Sequence, residues 1–273
     1  MPKIAIITIN YNDKTGLEKT IKSVIGQTFT DYEFLVIDGG SNDGSKEVIA
    51  QYASNIHYWV SEKDSGVYNA QNKGIKASNS EFVIFMNAGD VFEDAKVLEV
   101  VAPQLTSDYD ICYGNNYKVK ENGSKRLKTY PERLDFSFFY TSTLNHQSTF
   151  IRKSLFDTYF YYTENFKIAS DWEFFIYTIC KENVPYKYLN VTICQYDFTG
   201  MSSTGKYEEY ARIEREQVLQ KYFTLFTEDY KRLNTVTSKR VSQFLHLQQF
   251  GMPWKLLKGF MSLLLLFVPK MKK

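Results

Sequence analysis

The chain is poor in cysteine, in charge imbalance, and in apolar runs long enough to cross a bilayer. Its three cysteines, Cys112, Cys180 and Cys194, show no metal-ligand spacing and leave an odd thiol in any disulfide scheme. That pattern fits a reducing compartment. A formal net charge of +2 over 273 residues, with no concentrated basic stretch, excludes a nucleic-acid binder of the usual electrostatic kind. The opening residues, MPKIAIITINYN, lack the long apolar core and small-residue cleavage site of a secretory signal, so the sequons at Asn122 and Asn190 read as chance matches. No glycine falls in Asn10–Thr15, where a loop cradling phosphates after a first strand would need one.

A hydrophobic share of 44% is enough for one large domain, or a domain with an extension, around a real core. The 21 tyrosines and 21 phenylalanines crowd the second half, where they line a groove or, more simply, fill a core. Residues 3–10 read as a buried first strand, and Leu17, Ile21, Val24 and Ile25 recur at helical spacing after it. Strands follow at Glu33–Ile37 and His57–Val60, then a small-residue helix in which Gly74 permits close packing. Phe82–Met86 is a continuous apolar run of the kind buried on both faces, with a helix expected from about Glu93 to Ala102 and a strand at Tyr109–Tyr113.

This alternation over residues 3–113 predicts βαβ units and a parallel, doubly wound sheet. Three strands end in polar, acidic segments: Asn10–Asp13, Asp38–Asp43 and Asn87–Asp90. In such a sheet those ends share one edge, so their carboxylates converge on one crevice. Gathered like charge costs stability unless a cation or hydrogen-bond donors offset it. Asp43 reads equally well as a turn residue bonding its own backbone.

Beyond residue 113 the pattern loosens into a hairpin with its turn at Glu121–Ser124, an aromatic stretch containing Asn145-His146-Gln147, and a helix opening at Ser170-Asp171-Trp172 with Ser170 as its N-cap. Residues 186–196 resume strand character, 198–207 read as a loop, and helices are expected at Tyr207–Phe223 and Glu228–Phe250. At the C-terminus, WKLLKGFMSLLLLFV and its lysines are too short to span a bilayer, whose core needs roughly 20 apolar residues, but suit an interfacial helix on an anionic membrane surface. A helix packed on protein is the alternative.

Laid out in order, these motifs resemble glycosyltransferase family 2, with the GT-A fold. The resemblance rests on Thr8–Asn12, Ser23–Thr28, Val36–Ser45, Asp64–Ile75 and Met86–Asp90, with Asp171-Trp172 extending it. It implies an α/β, mostly parallel Rossmann-like sheet over residues 1–205, divided into a nucleotide-sugar half (1–113) and an acceptor half (114–205), with a helical extension at 206–273. It implies a nucleotide-sugar donor, a UDP-sugar favoured, near Thr8, Asn10, Asp38, Asp64, Gln71, Lys73 and Asn87. Asp38 would accept from a base N–H. Asp90 would hold Mg²⁺ or Mn²⁺, since Asn87 stands where the family has a further carboxylate; Gln71 likewise stands where Arg is common. Asp171 matches the general base of an inverting transfer, with His146 as a second catalytic candidate. The implied reaction moves a hexosyl or N-acetylhexosaminyl group to a glycan, in particular a lipid-linked intermediate, on the cytoplasmic, inner face of the cell membrane. The rivals are a sugar nucleotidyltransferase and a non-catalytic glycan-binding protein on a degenerate transferase fold.

Overall fold

A computed structural model describes every residue except Glu121, 198–206, 237–238 and 270–273, and gives only the backbone of 232–236. The expected loop at 198–207, apart from Tyr207, and the terminal lysines from Lys270 onward therefore lie outside the described residues. The described chain forms two compact units, Met1–Gln217 and Val218–Lys273. This boundary falls later than the 205/206 division read from the sequence.

The first unit runs β1 (Ile4–Asn10), α1 (Lys14–Ile25), β2 (Tyr32–Asp38), α2 (Ser45–Gln51), β3 (Tyr58–Ser61), α3 (Val67–Ala77), β4 (Phe82–Phe85), β5 (Val91–Phe92), α4 (Val97–Val101), β6 (Ile111–Val119), β7 (Lys125–Lys128), α5 (Phe136–Thr141), β8 (Thr149–Arg152), α6 (Ser154–Thr158), α7 (Ser170–Ile176), β9 (Tyr186–Asp197) and the start of α8 (Glu208–Tyr222). The sheet order is β3-β2-β1-β4-β8-β6-β9-β5, with β7 paired to β6. Strands β1 to β4 are mutually parallel where they pair, and β6–β9 is parallel too; β8, β5 and β7 join antiparallel.

The four residues of β4 are all fully buried, as the unbroken apolar run requires of a central strand. Each such side chain contributes roughly 1.5–3 kcal/mol over its exposed state. One face of the sheet packs Ile4, Ile6, Phe34, Val36 and Ile84 against Leu17, Ile21 and Val24 of α1 and Val48 and Ile49 of α2. On the other face α3 lies against β1 so closely that a Cβ on Gly74 would sit 2.4 Å from Cγ2 of Ile7. The aromatics of the second half are core: Phe156 and Phe174 stack at 4.4 Å, and Tyr162 meets Phe85 at 5.6 Å.

Several expectations shift. The helix expected at Glu93–Ala102 is confined to α4, because the Asp94 side chain accepts from Lys96 N and closes a turn ahead of it. The strand β6 extends six residues past Tyr113 as one arm of the hairpin with β7. Strand β8 was not legible in the aromatic stretch; it enters between β4 and β6, where Arg152 donates to Glu81 at 2.7 Å and Asp110 at 2.7 Å. Ser170 is not the N-cap of α7. It is the first helical residue, Ala169 caps by backbone alone, and the Ser170 hydroxyl accepts from Thr163 N. After Ile176 the helix widens into a π turn over Tyr177–Lys181.

The second unit holds the end of α8, then α9 (Thr224–Val236), α10 (Lys239–Gln248) and α11 (Gly251–Leu264). Over the helix expected at Glu228–Phe250 the described residues are helical to Val236 and again over Lys239–Gln248, and residues 237–238 lie outside the described residues. On α11 and just beyond it, Leu256, Phe260, Leu263, Leu264 and Phe267 are all exposed. Among the described residues no helix is long and apolar enough to cross a membrane.

Candidate active site

The parallel strands β1, β2 and β3 and the segment after β4 bring Asn10, Asp38, Ser61 and Asn87 to one edge of the sheet, as the topology requires. Asp38 is fully buried. Its Oδ1 accepts from Asn10 Nδ2 (2.7 Å) and Ser41 Oγ (2.6 Å); its Oδ2 accepts from Ser41 N (2.9 Å) and Ser61 Oγ (2.6 Å). Burial acts to raise its pKa, but these donors outweigh it and hold the carboxyl below its usual value. All four acceptor positions are filled by protein, so Asp38 braces the loop around it. Asp43 is likewise a turn residue, accepting from Ser45 N and Lys14 N.

The remaining donor-side residues fall into three states. Thr8 and Gln71 are fully buried, and the Thr8 hydroxyl and both polar atoms of the Gln71 amide lack partners. Lys73 forms an ion pair with Glu62 at 2.7 Å. Asp64 accepts from Gly66 N at 2.9 Å and lies so near Gly39 that any Cβ there would meet its carboxylate at 2.6 Å.

The loop after β4 is tied down to α1. Thr20 Oγ1 donates to Asp90 O at 2.7 Å and accepts from Gly89 N at 3.0 Å, and Lys19 Nζ donates to Gly89 O at 3.2 Å. Gly89 has φ +96°, and a Cβ there would meet Asp197 Oδ2 at 3.0 Å, so this turn requires glycine. Asp90 points inward: Oδ1 accepts from Asp197 N (3.0 Å) and Oδ2 from Asn87 N (3.1 Å). Burial pushes its carboxyl up to about 7 against the lowering effect of these donors and of His146.

A polar chain links this loop to α7. The Asn87 amide nitrogen lies 3.1 Å from His146 Nε2, and His146 Nδ1 lies 3.1 Å from Asp171 Oδ2. With the amide donating, Nε2 accepts, so the ring hydrogen is on Nδ1 and is given to Asp171. Asp171 Oδ1 accepts from Trp172 N (2.8 Å) and from the Tyr68 hydroxyl (3.3 Å). Oδ1 therefore carries two donors and Oδ2 one. Both side chains keep only 14% of their surface exposed. They face a cavity of about 310 Å³ that Asn87, Asp90 and Asp197 also line.

Sequence reading did not single out Glu214, Asp197, Lys118, Lys128 or Arg215. Glu214, buried on α8, accepts from three successive backbone N–H groups, Lys167 (2.6 Å), Ile168 (3.0 Å) and Ala169 (2.9 Å), immediately before α7. No spacing rule connects residue 214 to residue 171; only the folded chain does.

A mixed sheet with this order, and a cavity lined by charged side chains where its parallel strands end, defines a GT-A type transferase architecture. The chain belongs to glycosyl transferase family 2, whose model matches residues 5–169. It is 29% identical over 210 residues to an uncharacterized glycosyltransferase of Mycobacterium tuberculosis (strain ATCC 25618 / H37Rv), covering 74% of this chain and 78% of the relative. It is 27% identical over 209 residues to a PGL/p-HBAD biosynthesis glycosyltransferase of Mycobacterium bovis (strain BCG / Pasteur 1173P2), covering 74% and 80%. Among solved structures it resembles S. aureus TarS in complex with UDP-GlcNAc, with TM-score 0.62, 20% identity, and coverage of 80% of this chain and 66% of that one. It also resembles a mannosyltransferase of Pyrobaculum calidifontis in complex with GDP-Man and Mn²⁺, with TM-score 0.58, 16% identity, and coverage of 82% and 63%. At these identities the structural likeness speaks for the fold.

Proposed function

We propose that the chain is an inverting glycosyltransferase that moves a sugar from a nucleotide-sugar donor to a hydroxyl of a glycan, with Asp171 as general base. The observation that carries this reading is the Asn87–His146–Asp171–Tyr68 chain, which joins the loop after β4 to α7 across the cavity. Inversion needs the acceptor proton to be taken as the new bond forms on the face opposite the leaving group. Asp171 Oδ2, carrying a single donor, is the atom suited to take it. His146 and Tyr68 hold the carboxylate in place, a positioning role for His146 in place of the base role.

A divalent cation fits the chain's own atoms. Asn87 Oδ1 is buried without a partner, and the Asp90 and Asp197 carboxylates line the same cavity, an all-oxygen set suited to Mg²⁺ or Mn²⁺. Among the described residues no three His, Cys, Asp or Glu side chains come together as a complete metal cage, so donor oxygens would complete the shell. When bound, such an ion neutralises charge developing on the leaving diphosphate. Thr8, Asn10, Asp38, Asp64, Gln71 and Lys73 shape the nucleotide end, Asp38 through the loop it braces. A UDP-sugar is the favoured donor.

A melting screen of nucleotide sugars with and without Mn²⁺ tests the reading. A donor at a hundredfold excess over its Kd should add about 2.7 kcal/mol. That corresponds to roughly 5–10 °C in Tm for a domain of this size. If no nucleotide sugar moves Tm under either condition, the reading is wrong.

We place the protein peripherally on the inner, cytoplasmic face of the cell membrane, through α11, acting on a lipid-linked acceptor. The exposed Leu256, Phe260 and Leu263 beside Lys255 and Lys258 support this. Deleting residues 252–273 should abolish co-sedimentation with phosphatidylglycerol vesicles. Undiminished sedimentation of the truncated protein would count against the assignment.

A further inference from the structure

The acceptor wall of the cavity carries a set of cations that the transfer chemistry described above does not use. In the β6–β7 hairpin Lys118 is paired with Arg126 and Asn116 with Lys128. Residues directly opposite in an antiparallel pair share a face, as do positions two apart. Lys118, Arg126 and Lys128 therefore stand on one face, and Lys118 and Lys128 line the cavity. A cross-strand pair of like charges is destabilising. From α8, Arg215 reaches the same cavity with its guanidinium 5.1 Å over the Trp172 ring, and its buried Nε has no partner. Lys167 lines the cavity as well.

These cations stand in an environment that opposes their charge. Burial pushes the Lys128 ammonium down to about 8, and Lys118 beside it acts in the same direction. Burial also lowers Arg215, while Asp171 acts to raise it. The Lys128 ammonium donates to the neutral Thr143 O at 3.0 Å and Asn145 Oδ1 at 3.3 Å and lies 4.6 Å over the Tyr130 ring, and the Asp171 charge that acts to raise Arg215 acts to raise it as well. Cations assembled at a stability cost beside a reactive carboxylate call for an anion in the ligand.

We propose that the acceptor carries a phosphate ester next to its reactive hydroxyl, held by Lys128, Lys118 and Arg215 while the hydroxyl faces Asp171. A phosphate rather than a carboxylate follows from the number of cations: a dianion with three terminal oxygens engages several donors at once, whereas a single carboxylate is matched by one fork of Arg. The inference rests on the transferase reading, since it names the acceptor class of that same site.

Calorimetric titration of the full chain separates the two ideas. Glucose 1-phosphate and glucose are titrated with the donor subsite first saturated by Mn²⁺ and whichever nucleoside diphosphate gives the largest shift in Tm. Glucose 1-phosphate should bind at least about tenfold tighter than glucose, and Lys118→Gln/Lys128→Gln should erase that margin while leaving nucleotide affinity within about twofold. The variant Lys128→Met controls for folding: the relief of a desolvated ammonium offsets the loss of its bonds to Thr143 O and Asn145 Oδ1, so Tm should change little. Equal affinity for the two probes overturns the proposal. So does a loss of nucleotide affinity in the double variant, which would assign the cations to the donor's diphosphate. Failure of every nucleotide to bind would remove the transferase reading itself.

Discussion

Asp171→Asn should lower kcat by roughly 10²–10⁴-fold, the range that a positioned general base supplies. The amide keeps the carboxylate's shape, and its oxygen can still accept from Trp172 N. What it loses is proton affinity at the position of Oδ2. The new amide nitrogen would face the Nδ1–H of His146, donor against donor. The ring can relieve that by moving its hydrogen to Nε2, giving up the bond from the Asn87 amide and leaving Asn87 Oδ1 where it is. Thr20 and Lys19 hold the loop after β4 independently of the ring, so donor binding should persist. The diagnostic pattern is a collapse of kcat with the donor's effect on Tm intact, the signature of an interaction used in the transition state. Activity within about tenfold of the native enzyme would remove Asp171 from the base role.

Glu214→Ala should be the most destabilising single change near the site. Three successive N–H groups form a concavity for an anion, and the Glu214 carboxylate fills it. Truncation leaves these donors without an acceptor, at about 1–3 kcal/mol for each buried unsatisfied group. Partial solvation of Lys167 N reduces the sum, so a loss of about 3–5 kcal/mol is expected, or roughly 10 °C in Tm. Because Ala169 lies two residues before Asp171, kcat should fall as well, even at temperatures where the variant remains folded. Glu214→Gln, which keeps one acceptor oxygen, should fall between the two. A Tm for the Ala variant within about 2 °C of the native value would mean that the segment before α7 holds itself.

The two predictions differ in how far the sequence foretold them. Asp171 was legible as a candidate because the signals that single it out are local: an acidic residue at a helix start, inside a motif with recognisable order. Glu214 was not, because its importance comes from the return of α8 to the segment before α7. The misreading of Ser170 as the N-cap has the same origin. A serine before a helix is a good local cap, but a carboxylate brought in from forty-odd residues away supplies acceptors for the preceding backbone, and Ser170 is freed to accept from Thr163.

The loop after β4 shows a subtler division. The sequence placed Asp90 at the end of a central strand, and the topology agrees. Only the folded structure shows both its oxygens taken by backbone N–H groups of Asn87 and Asp197, so that Asp90 shapes the turn as much as it offers a charge. In the same way, Asp38 sits at the end of β2 as expected, with every acceptor position occupied by its neighbours.

By itself, then, the sequence determined the parallel half of the sheet, the strand that carries Asn87 and Asp90, the helix start that carries Asp171, and the family. Periodicity, strand-end polarity and motif order are local properties, and they survive in a linear string. The tertiary structure decided that β8 enters antiparallel between β4 and β6, that Glu214 anchors the backbone before α7, and that Lys118, Lys128 and Arg215 line one cavity. Those outcomes depend on which distant segments share a buried surface, and burial is what turns a scattered charge or an unpaired N–H into an energetic demand.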